Sequence, residues 1–200
     1  MNFDFSEDQK FLGNEARKFL ESECPMTAVR LVLNDDDVSH NADVWKKVVE
    51  MGWLGTAIPE EHGGLGLGLL EVCVLAEEMG RVLAPVPWAS TVYFFTEALK
   101  IAGSSEQQAD VLPRIVSGDV VGCYAASEGP GNPTAANLKT TFDGSTLSGT
   151  KVPVTDGDVA THAVVLAKEG SGASLVLVDL TGEGVTRKTL QTLDPTRSHA

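Results

Sequence analysis

Paired cysteines, clustered histidines, basic residues and long apolar runs are all scarce in this sequence, and each scarcity closes off a class of function. The three cysteines, Cys24, Cys73 and Cys123, are odd in number, far apart and without a CxxC pair. That argues against a disulfide framework or a zinc knuckle and for a reducing, cytoplasmic setting. His40, His62, His162 and His199 are equally scattered, with no metal-ligand spacing between them. Lysine and arginine total 15 against 28 acidic residues, for a formal net charge of −13. Non-specific nucleic-acid binding needs a basic footprint, so no nucleic-acid partner is expected. An anionic ligand remains open, because a few local donors outweigh global charge. Every apolar stretch is broken by glycine, proline or charge well short of a membrane span, and residues 1–10 lack the apolar core of a signal peptide. No membrane insertion is expected.

What is present is an ordinary globular composition, 42% apolar and 22% charged. The pattern changes near residue 118. Before it, apolar residues recur at helical spacing. Ser6 is placed to cap a first helix carrying Leu12, Ala16, Phe19 and Leu20, with Pro25 just beyond its end. Asp43 to Met51 reads as a second helix stopped by Gly52. The run Ile58-Pro59-Glu60-Glu61-His62-Gly63-Gly64-Leu65-Gly66 is a loop, since proline and glycine exclude regular structure there. Leu69 to Arg81 follows as a helix apolar nearly all round, suited to the middle of a bundle. Ala89 to Ala102 is a further helix. Ser104 with Gln107 offers a capping box for a last one, ending near Gly118.

After Gly118 the runs are short and β-like. Val120 to Ala126, Lys139 to Phe142, Thr146 to Val154, Ala163 to Ala167, Leu175 to Leu180 and Val185 to Leu190 read as strands, with a hairpin turn at Asp143-Gly144. The expected fold is therefore a multidomain α and β chain. An all-α helical bundle occupies residues 1–118, and an antiparallel β-barrel or sandwich domain, incomplete, occupies residues 119–200.

Three segments carry a family resemblance. The first is Phe5-Ser6-Glu7-Asp8-Gln9. The second runs from Trp45 through Met51-Gly52-Trp53-Leu54-Gly55 and the Pro59 to Gly66 loop into Leu75-Ala76-Glu77-Glu78-Met79-Gly80-Arg81. The third joins Gly122-Cys123-Tyr124-Ala125-Ala126-Ser127-Glu128 to Leu147-Ser148-Gly149-Thr150-Lys151 and Val154-Thr155-Asp156-Gly157. In this order they resemble the N-terminal helical domain and middle β-domain of the acyl-CoA dehydrogenases. The resemblance implies FAD as cofactor, an acyl-CoA thioester as substrate, an electron-accepting flavoprotein, and assembly into homo- or hetero-oligomers. It implies dehydrogenation between the α and β carbons. A glutamate removes the α-proton while the β-hydrogen leaves as hydride to the flavin, which carries the redox chemistry. By the same resemblance Tyr124, Ala126 and Ser127 border the flavin, the first two through backbone atoms. Thr155 meets it near N5, where a donor stabilises developing charge.

The sequence also departs from the family pattern. Pro153 stands where the family commonly has a flavin-shielding Trp, and Gly129-Pro130-Gly131-Asn132-Pro133-Thr134 replaces a Pro-x-x-Gly-Ser-Asp segment. The resemblance puts the catalytic glutamate in a C-terminal helical domain beyond residue 200. No residue here is assigned as the base, and these 200 residues alone are expected to be inactive. The departures suit a non-catalytic partner subunit of a heteromeric dehydrogenase; a flavin-dependent oxidase or monooxygenase on the same scaffold is the other alternative. Glu77 and Glu78 read as solvated or capping groups, and His62 and His162 as surface or turn residues. Trp88, Tyr93, Phe94 and Phe95 read as core or acyl-pocket lining.

Overall fold

The computed structural model describes residues 4–35 and 37–200. Met1, Asn2 and Phe3, at the head of the expected helical domain, lie outside the described residues. Helix α1 spans Glu7–Glu23, and Ser6 and Gln9 close a reciprocal capping box at its start. Helix α2, Met26–Leu33, follows at once and has no counterpart in the sequence reading. Pro25 ends one helix and begins the next: its fixed φ and missing N–H cost nothing ahead of a first turn. Asn41 caps α3, Ala42–Glu50, by accepting from the Val44 amide at 3.0 Å. The Pro59 to Gly66 loop holds a 3-10 turn, Glu60–His62. Gly64 is obligatory there, because a Cβ at that position would meet the Ile58 carbonyl oxygen at 2.1 Å.

Helix α4, Leu69–Arg81, packs Val72, Leu75 and Met79 inward against α1. It is not buried all round: Leu69, Leu70 and Cys73 are exposed. The predicted Ala89 to Ala102 helix is π-helical over Ser90–Thr96 before continuing as α5, Glu97–Ala102. Buried hydroxyls account for the wider turn. Thr96 donates to the carbonyl five residues back, at Thr91, and Thr91 donates to Pro87. Helix α6, Ser105–Val116, carries the expected Ser104–Gln107 capping box.

The sheet is mixed, where a purely antiparallel one was expected, and it does not close into a barrel. Strand β1, Gly122–Ala125, runs parallel to β4, His162–Glu169. Strand β5, Gly172–Asp179, pairs antiparallel with β4 through a tight turn. Strands β2, Thr141–Phe142, and β3, Leu147–Ser148, form the predicted hairpin, and β2 meets β4 in parallel at Thr141 and Lys168. The parallel pairing follows from the long connection between β1 and β4, which returns the chain to its starting direction. Of the Thr146 to Val154 run only Leu147–Ser148 is strand; Pro153 has no N–H to give a ladder. Residues 185–190 form no strand.

A large apolar cluster built on Leu20, Leu54, Leu75, Trp88, Phe95, Leu112 and Ile115 extends into the sheet through Val120 and Val164. A smaller one, Cys123, Ala125, Val154, Ala160, Ala163 and Val165, lies under the opposite face. The π-helical segment sits directly on β1. A Cβ on Gly122 would fall 2.2 Å from the fully buried Phe95 ring.

Candidate functional site

The main-chain geometry of β1 decides which of its groups are available. Both the amide and the carbonyl of Gly122 engage the Thr91 hydroxyl, at 3.2 and 3.4 Å, so they point away from β4. Strand alternation has a period of two, which turns the main-chain groups of Tyr124 to the same outer edge; Ala126 lies just past the strand's end. The Ala126 carbonyl is then taken by the Lys151 ammonium at 3.2 Å. The Ser127 carbonyl faces the other way and accepts from the Val152 amide at 2.9 Å, while the Gly129 amide donates to the Val152 carbonyl at 2.9 Å.

These bonds lay the Ala126 to Gly129 segment beside Lys151 and Val152, three residues ahead of Thr155. On its far side the Val154 to Asp156 segment pairs with Ser198 to Ala200, Val154 and Ala200 exchanging two main-chain bonds. Tyr124, Ala126, Ser127 and Thr155 are all half-buried at this junction. The Ser127 hydroxyl donates to the Gly129 carbonyl at 3.2 Å. The Thr155 hydroxyl makes no hydrogen bond to a described residue. Pro153 is exposed between the two segments' ends.

Two buried acids that the sequence reading did not single out lock this region. Glu128 pairs with Lys151 at 2.7 Å, their side chains only 12% and 8% exposed, and accepts the amides of Lys139 and Thr140 at 2.7 and 2.9 Å. Burial alone would raise its pKa; the Lys151 hydrogen bond and the amides outweigh burial and bring it down to about 2. Asp156, buried and at a φ of 55°, accepts from Ser90 at 2.7 Å and from Ser198 at 3.4 Å. Burial pushes its carboxyl up despite Ser90 and Arg197. Asp158 beside it accepts from Ser39 and Ser198, and Arg197 donates to the Val86 carbonyl. The helical region, the Thr155 segment and the last residues therefore meet on one polar knot. Glu128 and Lys151 both stand in the quoted motifs but were given no role, so their pairing was within reach of sequence reasoning. The Ser90–Asp156–Ser198 contacts span 66 and 42 residues and left no sequence signal.

An apolar groove of about 280 Å³ opens over the helix-facing side of the sheet, between Tyr93, Phe94, Ala98, Ile101, Tyr124 of β1 and Leu175 of β5. Trp88 and Phe95, by contrast, are core. Two readings are corrected. Glu78 is buried rather than solvated, with Arg17 and Arg81 at 2.7 and 3.0 Å. His162 is buried at the start of β4, its Nδ1 3.0 Å from Thr161 Oγ1. Among the described residues no cluster of His, Cys, Asp or Glu is arranged to hold a metal ion, and no helix is long and apolar enough to cross a membrane.

Comparison with known proteins places this fold in one class. Residues 6–119 match the acyl-CoA dehydrogenase N-terminal domain, and the chain belongs to the acyl-CoA dehydrogenase family. It is 32% identical over 192 residues to acyl-CoA dehydrogenase FadE27 of Mycobacterium tuberculosis, covering 96% of this chain and 51% of that protein. The human mitochondrial short-chain specific acyl-CoA dehydrogenase is 32% identical over 193 residues, covering 90% and 46% respectively. A chain of the ChsE4–ChsE5 complex of Mycobacterium tuberculosis superposes with a TM-score of 0.86 at 28% identity, over 100% of this chain and 54% of that one. The present chain thus spans about half the length of the relatives it matches. The order of a helical region followed by a sheet, expected from the sequence, is that of the family.

Proposed function

We propose that this chain is the flavin- and acyl-binding part of an FAD-dependent acyl-CoA dehydrogenase acting on the α and β carbons of an acyl-CoA thioester. The observation that carries the reading is the juxtaposition of the Tyr124–Ser127 edge with the Thr155 segment, fixed by the Val152–Ser127 bond. The chemistry of this edge suits the rim of an isoalloxazine. It offers outward main-chain groups at Tyr124, the backbone of Ala126 with its carbonyl already spent on Lys151, and the hydroxyls of Ser127 and Thr155. Bound FAD would supply the hydride-accepting chemistry. Tyr124, Ala126 and Ser127 would hold the ring's polar rim, and Thr155 would donate a hydrogen bond as charge develops. The apolar groove along Tyr93, Phe94 and Ile101 would keep water from the acyl chain. None of these residues is a base, and in this reading the glutamate that takes the α-proton lies in the remainder of the dehydrogenase.

The test uses the full-length protein from its native gene. It should purify yellow and bleach on anaerobic addition of an acyl-CoA, passing its electrons on to an accepting flavoprotein. A protein that binds no flavin, or whose flavin ignores every acyl-CoA tried, overturns the reading. The 200 residues alone should turn over nothing.

A second reading has its own support. Pro153 is exposed at the position of the family's shielding Trp, and similar folds occur in two-polypeptide assemblies, the ChsE4–ChsE5 complex and the Tcur3481–Tcur3483 steroid ACAD. In this reading the chain is a partner subunit, colourless alone and needed for activity only in its complex, with a steroid-derived or fatty acyl-CoA as substrate.

A further inference from the structure

We propose that the buried Glu128–Lys151 ion pair is a positioning device for the cofactor: it holds the Ser127 edge and the Thr155 segment in the one register that accepts a flavin. The proposal rests on the flavin-site reading above and goes beyond it, since neither residue belongs to the set expected to touch the ring.

Three observations converge on this pair. First, it sits between the two segments, with Lys151 bonded at once to the Glu128 carboxylate and to the Ala126 carbonyl, at 2.7 and 3.2 Å. Second, Glu128 draws in a third strand, because its two oxygens accept the amides that lead into β2, at Lys139 and Thr140. One carboxylate thereby fixes three stretches of backbone that have no regular ladder between them. Among the described residues, the main-chain bonds joining the first two are those of Val152 to Ser127 and Gly129. Third, the pair is almost fully withdrawn from water. A buried ion pair is a poor device for stability alone, since well-packed apolar residues in its place are often neutral or better. Its gain is directional: a charge-assisted bond has a narrow preferred geometry, whereas apolar contacts tolerate sliding. A short, irregular crossing of segments is where sliding would be easiest.

Lys151 also decides the chemistry of the edge. By occupying the Ala126 carbonyl it takes an acceptor away from the edge, so what that edge offers a ligand is donor in character. Ring nitrogens and carbonyl oxygens of a flavin are the acceptors such an edge fits.

The experiment measures FAD affinity of the full-length protein, with any co-purifying partner subunit, by flavin fluorescence and visible absorbance. Thermal unfolding of the apoprotein is followed alongside. Lys151→Met alone leaves a lone buried carboxylate and is the variant at risk of misfolding. The double variant Glu128→Gln with Lys151→Met removes both charges and avoids that. The double variant is expected to keep a cooperative but somewhat lower apoprotein melting transition while binding FAD at least tenfold more weakly, at temperatures where both apoproteins are folded, with an altered visible spectrum for the flavin that does bind. A double variant that binds FAD as tightly as wild type, with the same spectrum, overturns the inference and leaves the flavin site intact. A wild-type protein that takes up no FAD, alone or in complex, overturns the flavin reading itself and this inference with it.

Discussion

The helical and sheet regions of this chain are held together by different physics. The helical region is organised by one apolar cluster, with Leu20, Leu54, Leu75, Phe95, Leu112 and Ile115 at or near zero exposure. Its helix starts are closed by local caps at Ser6, Asn41 and Ser104. From β1 onward the second buried cluster is smaller, made of Cys123, Ala125, Val154, Ala160, Ala163 and Val165. There the connections between segments are polar: Glu128 with Lys151, Asp156 with Ser90 and Ser198, and Arg187 on the carbonyls of Asp158 and Ala160. The contrast teaches where specificity resides. Apolar burial gives the larger free energy but little direction. Directional polar contacts give less and fix particular atoms, which is what a cofactor edge needs.

Mutations in the two regions should differ accordingly. The largest effect is expected from Leu75→Ala, which empties fully buried volume in α4. It should cost about 3 kcal/mol in denaturant unfolding. A loss below about 1 kcal/mol would mean the helical core is far more plastic than its packing indicates. Gly122→Ala attacks the seam between the regions, where the new methyl meets the Phe95 ring. Because Phe95 is fully enclosed and cannot swing away, a cost of about 2 kcal/mol is expected. The companion change Phe95→Leu should recover part of it, and an absence of coupling between the two would break the proposed seam.

Acid should loosen the sheet region first. Glu128 is held at about 2 in the folded protein against an ordinary 4.5. A depressed carboxylate stabilises the fold above its unfolded value and loses that contribution as pH falls from about 4.5 toward 2. The loss is on the order of 3 kcal/mol. Hydrogen exchange at the Val152 amide should accelerate over that window in wild type and not in Glu128→Gln; identical pH profiles would sink the assignment. The smallest effect is expected from Ser104→Ala, which removes the α6 cap and should cost about 1 kcal/mol. It should leave the sheet amides untouched.

The same division explains what could be read before the structure. Helices α1, α3, α4 and α6 were legible because apolar period, caps and stops are local signals, repeated every few residues. The missing helix α2 came from assigning Pro25 one role when its geometry serves two. The short, exposed run at 185–190 looked like a strand because alternation alone does not say whether a partner exists. Ser127 and Thr155 were named from motif order; the Ser127 carbonyl accepts from the Val152 amide, three residues ahead of Thr155. Glu78 read as solvated because its arginine partner on α1 lies 61 residues away.

Sequence by itself determined the helical region, the turn at Asp143-Gly144 and the family, since each depends on neighbours in the chain or on an ordered set of motifs. The tertiary structure alone decided the mixed sheet, the apolar groove and the two acid locks. Those depend on which distant segments meet: the return direction of β4 beside β1, Ser90 against Asp156, Lys139 and Thr140 against Glu128. A carboxylate's surroundings set its charge, its partners and its use, and surroundings exist only once the chain has folded.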